Sequence, residues 1–238
     1  MARQAVIRKK RAEAHAKSSK LRDFILGWQD GMVNVLGVIL GVVAATGNAK
    51  LVLIAALAAA CAESISMAAV AYTAFTAEND FYISEVNREK REMEEMPDAE
   101  KDEVRDIYKG IGFKGALLEQ IVKHITASKK RWLDVMMFQE LRLFPLNESP
   151  RNISVVVGIS AFSGALILIV PFLFIPVKMA MWVSLALAAA ILFIVGAYKA
   201  ITTVGNPIRN GLEMTAIGML AALAGYLIGS LLGVVIRG

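Results

Sequence analysis

The sequence predicts an all-α integral membrane protein with five transmembrane helices and a cytosolic helical metal-binding domain inserted between spans two and three. Three observations carry this. The chain of 238 residues is 56% apolar with a mean hydropathy of +0.55, more apolar than a water-soluble domain of this size needs to be. Five apolar runs reach the length of about 20 residues that a helix needs to cross the hydrocarbon core. One long Glu-rich stretch interrupts them after the second run, and no strand-like alternation occurs anywhere.

Residues 1–22 form a basic arm with eight Lys or Arg against one acid, Glu13. Before an apolar span, such an arm reads as a topology signal and a lipid-headgroup contact rather than a nucleic-acid site. The spans follow at residues 24–46, 51–75, 153–175, 179–201 and 212–236. Gly47-Asn48-Ala49-Lys50 joins the first two as a hairpin, Pro176-Val177-Lys178 separates the third and fourth, and a run of turn residues at 205–211 separates the last two. Pro171 is expected to kink the third span and leave a carbonyl in need of another partner. The domains are therefore residues 1–22, the first two spans within 23–76, the insert at 77–152 and the last three spans within 153–238.

Charge fixes the expected orientation. With the N-terminus inside, 23 of the 26 Lys and Arg fall on the cytosolic side and only Lys50, Lys178 and Arg237 fall outside. The positive-inside rule then puts the N-terminus and the insert in the cytosol, and the C-terminus outside or in a lumen. The insert itself is expected to be helical. Span two runs on without a breaker to Pro97, Asp98 caps a helix at 99–111, and amphipathic stretches follow around 117–125 and 130–143.

Composition excludes several chemistries. A single cysteine, Cys61, rules out disulfide and multi-Cys metal frameworks, and its apolar setting predicts a buried packing role. Two histidines far apart make no His site, and the lack of Glu-x-x-His argues against a di-iron oxidase. No enzyme is expected.

Charged groups inside spans are costly and mark ion paths. Asp30 lies about two turns into span one, with Asn34 one turn further on the same face. Glu63 sits at mid-depth in span two, followed one turn later by Met67. The hairpin lets these faces meet, offering a transition-metal cation two carboxylates, an amide and a thioether. In the insert, Glu89 with Glu92 and Glu100 with Glu103 form two Glu-x-x-Glu pairs. Residues three apart share a helix face, so each pair presents two hard oxygens to a divalent cation. Met136, Met137 and Glu140 join them if the later helix folds back. Glu85, Glu94, Glu95 and Asp102 are expected on a solvated face. Gly27 and Gly31, Gly37 and Gly41, and the series Gly225, Gly229, Gly233 mark close helix packing.

From Arg22 onward the chain resembles the vacuolar iron transporter family. The resemblance rests on Asp30-Gly31, on Ile65-Ser66-Met67, and on the insert with Glu89, Glu92, Pro97, Glu100 and Glu103. It continues through Trp132-Leu133-Asp134-Val135-Met136-Met137, Glu140-Leu141 and Gly205-Asn206-Pro207, and ends at Tyr226 and Gly229. It implies a homodimer of five-span subunits that exports ferrous iron, and manganese or other divalent metals, in exchange for protons. No cofactor is permanently bound, and the partners are metal ions, protons and the bilayer. By matching motifs, the metal ligands are Glu89, Glu92, Glu100, Glu103, Met136 and Glu140, and the path is lined by Asp30 and Met67, with Asn34 and Glu63 added from their position. Two departures stand out. Ala59 occupies a place where relatives carry a glutamate, which Glu63 one turn on is expected to replace, and Met137 stands where the family can offer another carboxylate. The membrane is a plasma membrane in a prokaryote or a vacuolar one in a eukaryote. Two rival readings share these residues: a divalent-cation channel of different selectivity, and a membrane-anchored metal-binding or sensor protein.

Overall fold

The computed structural model describes the backbone of residues 2–146, 148–202 and 205–237, with side chains from residue 24 to 233 among these. The side chains of the basic arm at 1–22 lie outside the described residues. All regular structure among the described residues is helical: α1 (Ala2–Thr46), α2 (Ala49–Glu95), α3 (Pro97–Ile111), α4 (Gly115–Thr126), α5 (Lys129–Val135), α6 (Pro150–Ile169), α7 (Pro171–Phe174), α8 (Val177–Thr202) and α9 (Pro207–Arg237). Five stretches are long and apolar enough to cross a membrane: Phe24–Thr46, a window within Ala49–Glu95, Pro150–Phe174, Val177–Thr202 and Pro207–Gly233. This is a multi-pass membrane protein. The chain divides into two compact units, Met1–Tyr72 with Glu148–Gly238, and Thr73–Asn147.

In the first unit α1 packs against α6 and α9, and α8 packs against α9. Its core is Met32, Leu36, Ile39, Leu168 and Leu192, all almost fully enclosed. Large apolar side chains such as Ile54, Ile65, Phe174 and Leu220 point outward, as lipid-facing surfaces require. The glycine series explain how the helices approach. Gly27 and Gly31 meet Val157, Ser160 and Ala161 of α6, while Gly37 and Gly41 meet Gly225 and Gly229 of α9 backbone to backbone. A methyl group at Gly229 would overlap the Gly41 backbone, and one at Gly233 would lie 2.8 Å from the Ala45 Cα. Small residues are the means of packing where lipid is as apolar as the side chains.

Chain breaks follow the turn chemistry. Gly47 takes φ +62°, closing α1 in the left-handed conformation that suits glycine, and the Asn48 side chain accepts from the Lys50 amide at 2.9 Å. Pro171 ends α6 and starts the short α7. Next to the carbonyl that proline leaves free, the Leu168 oxygen accepts from the buried Ser184 hydroxyl at 2.7 Å. Cys61 departs from expectation: it is exposed. α2 turns only the stripe of Val52, Ala56 and Ala60 into the core, and Cys61 lies one residue off that stripe.

The second unit is built on the polar half of α2, which continues unbroken to Glu95. Its core gathers Met93, Val104, Leu118, Val122, Ile125, Trp132 and Met136. α3 starts two residues earlier than expected. Pro97 occupies its first turn, Met96 stands at the cap position, and Asp98 lies inside the helix and pairs with Lys101 at 2.9 Å. Proline supplies the helical φ at a position whose N–H is not needed, so no Asp cap is required. Gly112, at φ +116°, ends α3 with amide bonds back to Lys109 and Tyr108 from Gly112 and Phe113, the glycine-terminated exit described for helices.

Candidate metal centre

Three glutamates of the second unit converge. Glu89 and Glu92 come from the last turns of α2 and Glu100 from the first turn of α3, and each offers a carboxylate oxygen within 4.8 Å of the others. The break at Met96-Pro97 makes this meeting possible, because it turns α3 off the axis of α2 and brings Glu100 toward Glu89 and Glu92. Register does the rest. Met93 and Val104 follow Glu89 and Glu100 by one turn and are both buried, so the faces that carry the acids continue directly into the apolar core.

Burial and partners distinguish these acids from a solvated acidic face. Glu89 is 2% and Glu100 3% exposed, and one oxygen of each, Oε2, is enclosed without a hydrogen-bond partner. Buried carboxylate oxygens left unpaired are expensive, and a divalent cation with its oxygen-seeking shell would satisfy them. Glu103 and Glu140 are exposed and lie outside this set of three, but both bear electrostatically on Glu100. Burial, then the charges of Glu103, Glu89, Glu140 and Glu92, push the Glu100 carboxyl up to about 7. Burial, then Glu103 and Glu89, push Glu140 up to about 7 as well. A cluster of carboxylates that repel one another and resist ionisation near neutrality is what a bound cation relieves.

Glu140 sits on a local irregularity. The stretch expected as one helix over 130–143 instead runs as α5 and then widens into a π turn, Met136–Glu140. There the Leu141 amide donates to the Met136 carbonyl at 3.1 Å and the Leu143 amide to Met137 at 2.8 Å. Extra-residue turns of this kind occur often at functional sites. Met136 and Met137 are almost fully buried, and Met136 belongs to the apolar core.

Two participants were not anticipated. Arg88 pairs with Glu85 at 2.9 Å, Glu89 at 3.3 Å and Glu92 at 3.5 Å. Glu85, expected on a solvated face, is thereby drawn into the acidic group. The i, i+3 and i, i+4 spacing of Arg88 to Glu85 and Glu92 was the available signal. Glu94 and Asp102 keep to exposed ion pairs with Lys129 and Arg105.

The first unit holds the intramembrane acids. The Asn34 amide donates to Asp30 at 3.2 Å, and Asp30 and Asn34 are both electrostatic neighbours of the Glu63 carboxyl. The hairpin thus brings α1 and α2 acids together. Met67 lies one turn beyond Glu63 and is half-buried. Between them, Ser64 donates to the Gly158 carbonyl at 2.8 Å and ties α2 to α6. Ala59 is half-buried and packs against the core. Glu213 forms an exposed ion pair with Arg209 at 2.9 Å.

Five apolar spans, a carboxyl pair between two of them, and a separate helical unit in which glutamates converge define a multi-pass membrane protein with acidic polar sites in both units. The chain belongs to the VIT family, whose model matches residues 21–230. It is 31% identical to vacuolar iron transporter 1 of Tulipa gesneriana over 208 residues, covering 87% of this chain and 84% of that protein. It is 30% identical to vacuolar iron transporter 1 of Arabidopsis thaliana over 217 residues, covering 90% and 87%. A vacuolar iron transporter of Plasmodium falciparum is 31% identical over 224 residues, covering 89% and 82%. The family is one of transporters, not enzymes.

Proposed function

We propose that this protein exports ferrous iron, and manganese or other divalent transition metals, from the cytosol in exchange for protons. The observation that carries the reading is the convergence of Glu89, Glu92 and Glu100, with two buried carboxylate oxygens lacking partners. The names of the relatives supply the metal. The lopsided distribution of Lys and Arg supports an insert that faces the cytosol, an N-terminus inside and a C-terminus outside or in a lumen. A homodimer in a plasma or vacuolar membrane accords with the same family.

The residues divide the work. Glu89, Glu92, Glu100, Glu103 and Glu140 collect the cation, with Met136 as a soft donor that favours ferrous iron over magnesium or calcium. Asp30, Asn34, Glu63 and Met67 pass it between α1 and α2. Two neighbouring carboxyl groups such as Asp30 and Glu63 can share one proton. A divalent cation bridging Asp30 and Glu63 would release that proton, and a proton arriving from the far side would reset the pair. Glu63 thereby does the work of the carboxylate absent at Ala59. Rocking of packed helices along the glycine seams would alternate access to the pair.

The test is metal flux into proteoliposomes under an imposed pH gradient, comparing ferrous iron, manganese, calcium and magnesium for the wild type and Asp30→Ala. Gradient-driven iron flux that disappears in the variant is expected. Metal binding without flux in the wild type would replace this reading with that of a membrane-anchored binding protein.

A further inference from the structure

The acidic cage already contains a cation, the guanidinium of Arg88. It bridges Glu85, Glu89 and Glu92, two of which are proposed metal ligands. Its hold on them is uneven. The contact to Glu85 is 2.9 Å, the one to Glu92 is 3.5 Å, and the buried Nε makes no hydrogen bond at all. The side chain is 40% exposed while Glu89 is 2% exposed. Arg88 therefore reaches in from the rim and is held by charge more than by directed bonds. It also has somewhere to go. An open surface depression is lined by Asp80, Ser84, Glu85, Arg88 and Arg91, so the guanidinium can leave Glu89 and Glu92 for this depression while keeping Glu85.

We infer that Arg88 is a tethered counter-cation that occupies the cage between metal ions, is displaced by a divalent cation, and rejects monovalent ones. Resting on the cage reading above, the argument is one of charge. A potassium or sodium ion replacing the guanidinium would exchange one positive charge for another and lack the covalent tether that keeps Arg88 beside its glutamates. A divalent ion brings twice the charge and a demand for several oxygens. It gains from Glu89, Glu92, Glu100 and Glu103 what a monovalent ion cannot. The cost of moving Arg88 weakens metal binding, and the same side chain, swinging back, helps the metal leave. Arg88 is thus a positioning residue that sets selectivity and release without touching the cargo.

The experiment measures Mn²⁺ binding by calorimetry on the full-length protein in detergent, with and without potassium chloride at fixed ionic strength. Wild type, Arg88→Met, Arg88→Gln, Arg88→Lys and Glu100→Gln are compared. Removing the charge in Arg88→Met or Arg88→Gln is expected to tighten Mn²⁺ binding about tenfold, as relief of one like charge about 6 Å from a divalent ion in a water-like dielectric would give. The same variants are expected to become sensitive to potassium, while wild type and Arg88→Lys are not. Neutral variants that bind Mn²⁺ no tighter than wild type, or stay indifferent to potassium, would overturn the inference and make Arg88 a structural brace for Glu89 and Glu92. A wild type whose Mn²⁺ binding is untouched by Glu100→Gln would remove the cage reading itself, and the inference with it.

Discussion

Metal binding to the glutamate group is expected to weaken steeply between about pH 7.5 and about pH 6, because protons compete for the same oxygens. Glu100 and Glu140 both lie at about 7, each raised first by burial and then by neighbouring acids. A carboxyl group at about 7 is about three-quarters ionised at pH 7.5 and about one-tenth ionised at pH 6, so it costs about eightfold in affinity over this interval. Two such groups cost up to about sixtyfold, and less in proportion as their titrations are coupled. A glutamate at its ordinary value would contribute almost nothing over the same range. The assay is Mn²⁺ titration of the full-length protein at several pH values, repeated with Glu100→Gln, which should bind more weakly but lose affinity less steeply on acidification. Linkage gives a second reading with a definite sign. Both folded-state values are raised, so the metal-free protein has this stability in full below about pH 4.5 and loses it as pH rises through about 7. With Glu140 set aside as exposed, the loss from Glu100 alone is about 3 kcal/mol. The metal-free second unit should therefore melt lower at pH 7.5 than at pH 5, and Mn²⁺ should reverse that order. An affinity that is flat across this range would refute the reasoning, because the acids would then be ordinary solvated carboxylates.

Three packing predictions accompany this one. Gly229→Leu should lower the melting temperature in detergent, because any side chain there meets the Gly41 backbone; overpacking of this kind costs about 1–3 kcal/mol. Gly110→Ala should do the reverse. A Cβ there meets nothing within 4 Å, and alanine in a helix stabilises by about 0.5–1 kcal/mol in chemical denaturation. Ser184→Ala should destabilise by about 1 kcal/mol, because the buried Leu168 carbonyl loses its hydroxyl donor beside the Pro171 break.

The spans were legible because a bilayer imposes one requirement on one variable: apolar length. The glycine series were legible for a related reason, since four-residue spacing maps directly onto one helix face. The partner of each series was not legible. Nothing in Gly37 and Gly41 specifies that they meet Gly225 and Gly229 rather than α6, because small residues are compatible with any close neighbour. The acids show the same division. Glu-x-x-Glu spacing revealed which carboxylates share a face, but the approach of the two faces depends on the break at Met96-Pro97, a tertiary fact. Glu140 was harder still. Its position depends on a π turn at Met136–Glu140 that no residue pattern announces.

Arg88 shows how an ordinary pattern conceals a functional arrangement. An arginine with acids three residues before and four residues after it is the commonest form of surface ion pair on a helix, worth a few tenths of a kcal/mol and usually ignored. What changes its meaning is the burial of Glu89, which the helix pattern alone does not reveal. A carboxylate enclosed at 2% exposure either holds a proton, as Glu100 does up to about pH 7, or stays ionised beside a positive group. The sequence places Arg88 next to it on the same turn. On the proposed reading, the burial that would make these glutamates good metal ligands also favours an internal counter-cation beside Glu89, so that metal binding would be an exchange between two cations rather than the filling of an empty cage.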